Sequence, residues 1–123
     1  MQKPIVRTFF RDLSKEINTR LKEADKKARD VVIEQMIQDT DEFVPYKTGE
    51  LSQSVEKLPL ANGFLYDAEY ASYAFDPIAP SGVKKKYTKD VHPKAQGYPF
   101  EAASEEHFND WVDLYEREVL KNL

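Results

Sequence analysis

Apolar residues in the first third of the chain recur every three or four positions, which is the period of an α-helix. They are Phe10, Leu13, Ile17, Leu21, Ala24, Ala28, Val32 and Met36. The helix that this pattern predicts, from about Arg7 to about Asp39, would be roughly 50 Å long. A compact domain of this size has a radius of gyration of only about 14 Å. The helix must therefore kink or project from its own domain, and we expect it to project onto a neighbouring subunit.

A corner follows this helix. The short side chains of Asp39-Thr40-Asp41 compete for backbone hydrogen bonds, and Pro45 disfavours the helical conformation in Val44, so we expect the helix to end before Val44. Gly49 can adopt the positive φ that a tight turn requires. From Leu51 to Val55 the side chains alternate weakly between apolar and polar, which predicts the start of a strand.

A β-hairpin is predicted after the corner. Two strand-like runs, Ser54–Leu60 and Phe64–Ala68, flank Asn62-Gly63, and Asn-Gly between apolar runs is the strongest short hairpin signal. Two strands are only marginally stable alone, so we expect the helices to cover their apolar face. In the turn that follows, we expect Tyr70, Tyr73 and Ala74 to pack in the core rather than to stack on nucleic-acid bases.

A long loop and a closing helix complete the chain. Residues 76–97 have no steady period and include several prolines and glycines, and loops of this length are usually functional or disordered. The closing helix should begin at Tyr98-Pro99-Phe100, because proline is tolerated in a first helical turn. One side of it repeats at helical spacing and is expected to form core over the sheet: Phe100, Ser104, Phe108, Trp111, Tyr115 and Val119.

These segments predict an α+β fold in a single domain over residues 1–123. It has a long helix (1–43), a corner with a β-hairpin and a short turn (44–75), a long loop (76–97) and a closing helix (98–123). The two helices are expected to pack on a small antiparallel sheet. A domain of this length buries about two thirds of the surface that its unfolded chain exposes, so it needs no disulfide or metal to fold.

The charge balance and the residue content exclude several classes of protein. The net charge of −4 argues against a surface that attracts nucleic acid as a whole. The one local basic cluster lies in the loop and is a candidate for contact with DNA or with a neighbouring subunit: Lys84, Lys85, Lys86 and Lys89. The absence of cysteine excludes disulfides and thiolate zinc sites and fits a reducing compartment. No apolar run has the length of a signal peptide or a membrane span, so we expect synthesis in the cytoplasm and no membrane partner.

No group of residues shows the pattern of a catalytic or metal site. His92 lies near Asp90, but no activated serine or oxyanion-forming glycine pattern accompanies it, so packing or capping is the expected role of His92 and of His107. Carboxylates two positions apart in a helix do not face each other, so Asp39 and Asp41 predict a helix end rather than a metal site. We expect no enzyme activity, no catalytic residue, no metal and no cofactor.

Three short motifs occur in a fixed order. The corner reads V-P-x-x-T-G-x-L-x-x-S, Tyr70-Ala71-Ser72-Tyr73-Ala74 follows the hairpin, and His92-Pro93 precedes the aromatic helix. In this order they resemble the minor capsid and tail-completion proteins of long-tailed phages, which include head-tail joining and neck proteins. One difference is Phe75-Asp76-Pro77, where related proteins often have a glycine soon after the tyrosine. The motif residues that the resemblance marks as a structural corner are Pro45, Thr48, Gly49, Leu51, Ser54, Tyr70 and Ala71.

The resemblance implies a virion structural protein, made in the host cytoplasm, that acts at the head-tail interface or the tail end by ring assembly and adhesion. It implies a homo-oligomer, a ring for which the family suggests six copies, with neck and tail proteins as neighbours. The basic cluster would contact DNA non-specifically if it faced the channel of such a ring, and a solvated loop or contact with an acidic neighbour is the alternative. Two alternatives come from other classes. A small DNA-binding module would bind DNA in a salt-dependent way, and a metal-dependent nuclease would need clustered carboxylates or histidines.

Overall fold

Two antiparallel helices form the body of the computed structural model, which describes the backbone of residues 6–123 and the side chains of residues 11–123. The elements in chain order are α1 (Val6–Asp41), α2 (Glu50–Gln53), β1 (Val55–Lys57), a 3-10 turn (Pro59–Ala61), β2 (Phe64–Tyr66), α3 (Ala71–Phe75) and α4 (Pro99–Lys121). The predicted α+β fold, with a long first helix, a closing helix and a small antiparallel sheet, is confirmed. The side chain of Phe10, which begins the predicted stripe, lies outside the described residues.

Helix α1 is one uninterrupted helix of 36 residues, which corresponds to about 54 Å. It ends at Asp41, before Pro45, as predicted. Helices α1 and α4 are antiparallel. Trp111 contacts Asp39, whereas Tyr115, which comes later in α4, contacts Asp25, which comes earlier in α1. After Tyr115 only six residues of α4 remain, or about 9 Å, so the first part of α1 extends beyond α4.

The main core lies between α1 and α4. Val32, Phe43, Ala103 and Trp111 are buried together, and Met36, Ala102, Leu114 and Tyr115 pack around them. Ala24 and Ala28 are fully buried, and their small side chains let α4 approach α1 closely. Trp111 keeps 2% of its surface exposed. The predicted aromatic core of α4 is therefore right for Trp111, but Phe100 and Phe108 are exposed because they lie to the side of the α1 contact.

The corner between α1 and the hairpin differs from the prediction. Residues 50–53 form a single helical turn, closed by a 3.0 Å hydrogen bond from the Gln53 amide to the Gly49 carbonyl. The predicted strand start at Leu51 is wrong, and β1 begins at Val55. The alternation was weak because Ser52 and Ser54 supply little hydrophobic contrast. The helical turn instead buries Leu51 against Val44 and Ala71.

The predicted hairpin is present, but its strands are shorter than expected. Strands β1 and β2 pair antiparallel over three residues each, from Val55 opposite Tyr66 to Lys57 opposite Phe64. Pro59 cannot donate a backbone hydrogen bond to the sheet, so the ladder stops there and a 3-10 turn follows. The Leu58 amide donates to the Gly63 carbonyl at 2.8 Å and closes a six-residue connection rather than a two-residue turn.

After the hairpin, α3 packs on the corner through its small and apolar residues. Ala71 is buried, and Ala74 and Phe75 pack beside it. Tyr70 and Tyr73 are exposed, so the expectation that they pack in the core is wrong. The helix has only five residues, too few to bury a ring on each side. Residues 76–98 contain one isolated bridge, Ile78 to Lys84, and otherwise form the predicted long loop.

Candidate assembly surfaces

The corner motif builds a small core and a tight turn. Val44 and Leu51 are buried with Ala71, and Tyr66, Ala68, Ala74 and Phe75 surround them. Gly49 has φ of +83°, and a Cβ at this position would lie 2.8 Å from the Tyr46 hydroxyl. Thr48 accepts a 3.4 Å hydrogen bond from the Glu50 amide. The motif thus provides the shape of the corner and leaves no polar group arranged for chemistry.

The remaining motif residues connect the corner to the hairpin. The Ser54 hydroxyl donates to the Leu51 carbonyl at 2.7 Å, and the Asp67 amide donates to the Ser54 carbonyl at 3.0 Å. Pro45 is half-buried, and Tyr70 precedes the buried Ala71 with its own ring exposed. Tyr70, although its ring is exposed, lines one cleft with Pro45 and Leu51, and Ala71 is buried against Leu51.

The loop from residue 76 to residue 98 is attached to this corner. His92 makes a 2.8 Å hydrogen bond through Nδ1 with the Val44 carbonyl, and its ring meets Tyr46 edge-on at 5.0 Å. The Gln96 amide donates to the Phe43 carbonyl at 3.1 Å, and the Tyr98 amide to the Phe75 carbonyl at 2.8 Å. These bonds hold the loop across the end of α1.

The acidic residues at the end of α1 bind separate partners. Asp39 accepts hydrogen bonds from the Trp111 indole at 2.7 Å and from Gln35 at 3.0 Å. Asp41 lies 3.6 Å from the Nε2 atom of His92. Burial, together with the Asp41 charge, raises the pKa of Tyr66 well above its ordinary value. Across the part of the chain that the structure describes, no three histidine or carboxylate side chains are grouped so that they could hold a metal ion.

Two of the four lysines in the basic cluster make contacts within the protein, and two do not. The Lys85 ammonium donates to the Tyr73 carbonyl and lies 3.5 Å from the centre of the Tyr73 ring. Lys89 donates to the Ala95 carbonyl at 3.1 Å. Lys84 and Lys86 are exposed, and within residues 11–123 neither ammonium group has a hydrogen-bonding or ion-pair partner. The ammonium groups of Lys85 and Lys89 are thus held in place by backbone carbonyls, whereas those of Lys84 and Lys86 can move to meet a partner.

The first described half of α1 carries exposed apolar side chains. Leu13 is 42% exposed, Ile17 48% and Leu21 43%. We call these three residues the projecting stripe. Every residue from 11 to 23 is exposed, whereas burial begins at Ala24, where α4 covers the helix. The stripe is thus a hydrophobic surface that no side chain among residues 11–123 covers fully.

A second uncovered hydrophobic surface lies beside the hairpin. One cleft of about 440 Å³ is lined by aromatic residues, chiefly Phe64, Tyr66, Phe75, Tyr98 and Phe100, together with Met36 and Gly63. An adjoining cleft of about 370 Å³ shares Met36 and Gly63 and is bordered by Phe108, Val112 and Tyr115. We call the two together the aromatic cleft. The sequence did not predict it, because Phe100 and Phe108 have the same spacing as core residues.

Helix α4, which borders this cleft, is acidic over most of its length. From Pro99 to Glu116 it carries six carboxylates and no lysine or arginine: Glu101, Glu105, Glu106, Asp110, Asp113 and Glu116. Glu106 is paired with Lys94 of the loop at 2.9 Å, and that hydrogen bond lowers the pKa of Glu106. The Glu106 hydrogen bond in turn raises the pKa of Lys94.

None of the described helices has a stretch long and apolar enough to cross a bilayer.

Comparison with known proteins gives one match. The model of a family described as minor capsid protein matches residues 10–119. No curated protein and no solved structure matches the chain. The matched range contains α2, α3, the hairpin and the loop in full, and most of α1 and α4.

Proposed function

Because the chain belongs to the minor capsid protein family and is thus a structural component of a phage virion, we propose that it acts at the head-tail interface or at the tail end. In this proposal several copies assemble into a ring that adheres to neck and tail proteins. The family is structural rather than enzymatic. The mechanism is therefore the burial of surface between subunits rather than a reaction.

The observation that supports the proposal is the match over residues 10–119, which includes the projecting stripe, the corner and the aromatic cleft. Both hydrophobic surfaces are exposed in a single copy. Burying apolar surface stabilises an interface by about 25 cal/mol per Å² before the costs of association are subtracted. A chain with two such surfaces is suited to contacts with more than one neighbour.

The proposal also includes weak, non-specific contact with DNA that passes through the ring. Lys84 and Lys86 support it, because both are exposed and free of internal partners in the described structure. The Lys84→Ala/Lys86→Ala variant should lose salt-sensitive retention on DNA. The Lys22→Ala/Lys26→Ala variant, which removes the same charge from exposed positions on α1, serves as the control. Equal retention by both variants and by the unchanged chain would contradict this contact.

The location in the virion is tested on purified particles. Immunogold labelling should place the protein at the junction of head and tail or at the end of the tail. A phage with an early stop codon in this gene should make heads and tails that fail to join, or tails with an unfinished end. The proposal fails if the label is distributed over the head surface, or if joined particles form without the protein.

A further inference from the structure

The projecting stripe continues the buried contact between α1 and α4. Leu13 and Ala24, Ile17 and Ala28, and Leu21 and Val32 form three pairs in which the members are eleven residues apart. Eleven residues in three turns give 3.67 residues per turn, close to the period of a straight α-helix, so each pair lies on nearly the same side of α1. Helix α4 covers the second member of each pair and leaves the first exposed. The exposed side chains therefore have the alignment of a helix-packing surface.

The aromatic cleft is the second exposed apolar surface next to the contact between α1 and α4. It lies beside α1 and α4, along the row Met36, Phe100, Phe108 and Val112. Phe108 is 59% exposed although it belongs to the aromatic side of α4. The ring of Phe100 stacks on Trp111 at 5.8 Å and meets Phe64 at 5.9 Å, so its position is set by the core beneath it. The cleft is thus an apolar surface whose shape is fixed by core packing.

The helix segments that carry the two surfaces have opposite net charge. Residues 11–23 of α1 carry four basic and three acidic side chains, a net charge of +1. Residues 99–116 of α4, which forms one side of the cleft, carry six acidic side chains and no lysine or arginine. Of these, Glu101 lines the cleft itself, where Arg29 of α1 also lies, and Glu106 is paired with Lys94. Contact between two copies of the same surface would bring like charges together. Contact between the two different surfaces joins opposite charges.

We propose that the projecting stripe of one copy packs into the aromatic cleft of the next copy. This inference rests on the proposed function, in which copies of the chain assemble, and it names the surfaces that meet. Such a contact is head to tail, because it uses two different patches, and repeated contacts of this kind close into a ring or continue as a filament. A two-fold pairing of stripe with stripe would leave the aromatic cleft exposed, whereas the head-to-tail contact covers both surfaces at once.

Engineered cysteines can test this contact, because the chain contains no cysteine of its own. An Ile17→Cys/Phe108→Cys chain should, after mild oxidation at high protein concentration, form a ladder of dimers, trimers and larger multimers on a non-reducing gel. The link cannot form within one chain, since Ile17 lies about 22 Å along α1 from Val32, which lines the cleft beside Phe108. Ile17→Cys/Val83→Cys is the control, because the exposed Val83 lines neither part of the cleft.

A charge in the stripe provides a second measurement. Ile17→Asp should weaken self-association, followed by sedimentation, by roughly tenfold or more. Thr19→Asp adds the same charge on the opposite side of α1 and should have a much smaller effect. Circular dichroism should show that both variants fold, since both side chains are exposed.

Three results would overturn the inference. The first is a dimer from Ile17→Cys alone with no ladder from the double variant, which would mean that stripes pair with stripes. The second is a ladder of equal strength from the Val83 control. The third is a monomer by sedimentation, with no link of any kind, at the highest concentration tested. None of these results concerns the location in the virion, which immunogold labelling decides separately.

Discussion

The backbone at Gly49 shows how one residue sets the shape of the corner. Its φ of +83° belongs to the left-handed region, and an added Cβ would meet the Tyr46 hydroxyl at 2.8 Å. Gly82 has almost the same φ, +85°, but has nothing within 4 Å of an added Cβ. Alanine substitutions at Gly49 and Gly82 can therefore distinguish the cost of a left-handed backbone from the cost of a steric clash with Tyr46.

We predict that Gly49→Ala destabilises the protein more than Gly82→Ala does. The left-handed conformation costs a residue with a Cβ about 1 to 2 kcal/mol at either position. At Gly49 the displacement of the Tyr46 ring, which also contacts His92, adds to that cost. Urea denaturation of the two variants measures the difference. Equal free energies of unfolding would show that Tyr46 moves aside freely.

The Lys94–Glu106 pair gives a prediction about pH. Lys94 lowers the pKa of Glu106 below its ordinary value of 4.5, so on acidification the unfolded chain takes up this proton before the folded chain does. The pair's contribution to stability is therefore complete above pH 4.5 and is lost as the pH falls through the folded pKa. In Lys94→Gln we expect the pKa of Glu106 to rise toward 4.5, as measured by NMR titration.

Lys86→Gln is the control for this titration, because Lys86 is an exposed lysine that does not contact Glu106. It should leave the titration of Glu106 unchanged. A pKa of Glu106 that stays low in Lys94→Gln would show that another group causes the shift.

The two halves of helix α1 differ in their support. Isolated helices are marginally stable in water, so most helical stability in proteins comes from packing. Residues 24–40 pack on α4 and on the corner, whereas residues 11–23 are exposed on every side. The second half should therefore be much more stable than the first in a single copy.

We predict that backbone amides of residues 11–20 exchange with solvent roughly a hundredfold faster than those of residues 28–40 in dilute protein. Hydrogen exchange followed by mass spectrometry measures both ranges in the same sample. On assembly the first range should become protected, while the second changes little. Uniform protection along α1 in the monomer would contradict this division of the helix.

The elements were predictable to the extent that their periods were strong and long. The period of α1 predicted its length, because eight apolar positions agreed, and Asp39-Thr40-Asp41 with Pro45 predicted its end. The turn at residues 50–53 was missed, because four residues carry too little pattern to distinguish a helical turn from a strand. On α4 the spacing of Phe100, Phe108 and Trp111 could not show which rings α1 would cover, since that depends on how the two helices are placed against each other.

At the scale of the whole molecule, the projecting half of α1 is separable from the folded body. Among the described residues 11–20, none belongs to either core cluster. We predict that a chain lacking residues 1–20 folds with a melting temperature within about 4 °C of the full chain, the size of shift that about 1 kcal/mol produces. The same deletion should abolish self-association. Differential scanning calorimetry and sedimentation of the two chains measure these outcomes.

The assembly surfaces themselves were only half predictable. The length of α1, compared with the size of the domain, indicated that part of the helix must leave the body. The aromatic cleft joins residues from α1, the hairpin, α3, the end of the loop and α4, which are distant in sequence. No local pattern identifies such a cleft, because it is defined by the packing of five segments. The motif residues from Pro45 to Ser54, by contrast, are close in sequence and form one corner, and Tyr70 and Ala71 lie beside it.

Residues 24–40 of α1 are packed against the rest of the protein, whereas residues 11–23 are exposed, so the helix behaves mechanically as a cantilever. A sideways load on the free end produces its greatest bending moment where the grip begins, near Ala24. There the buried side chains of Ala24 and Ala28 are small, and Tyr115 is hydrogen-bonded to Asp25. A force on the exposed end of α1 would consequently strain the contact between α1 and α4 first, and the hairpin only afterwards.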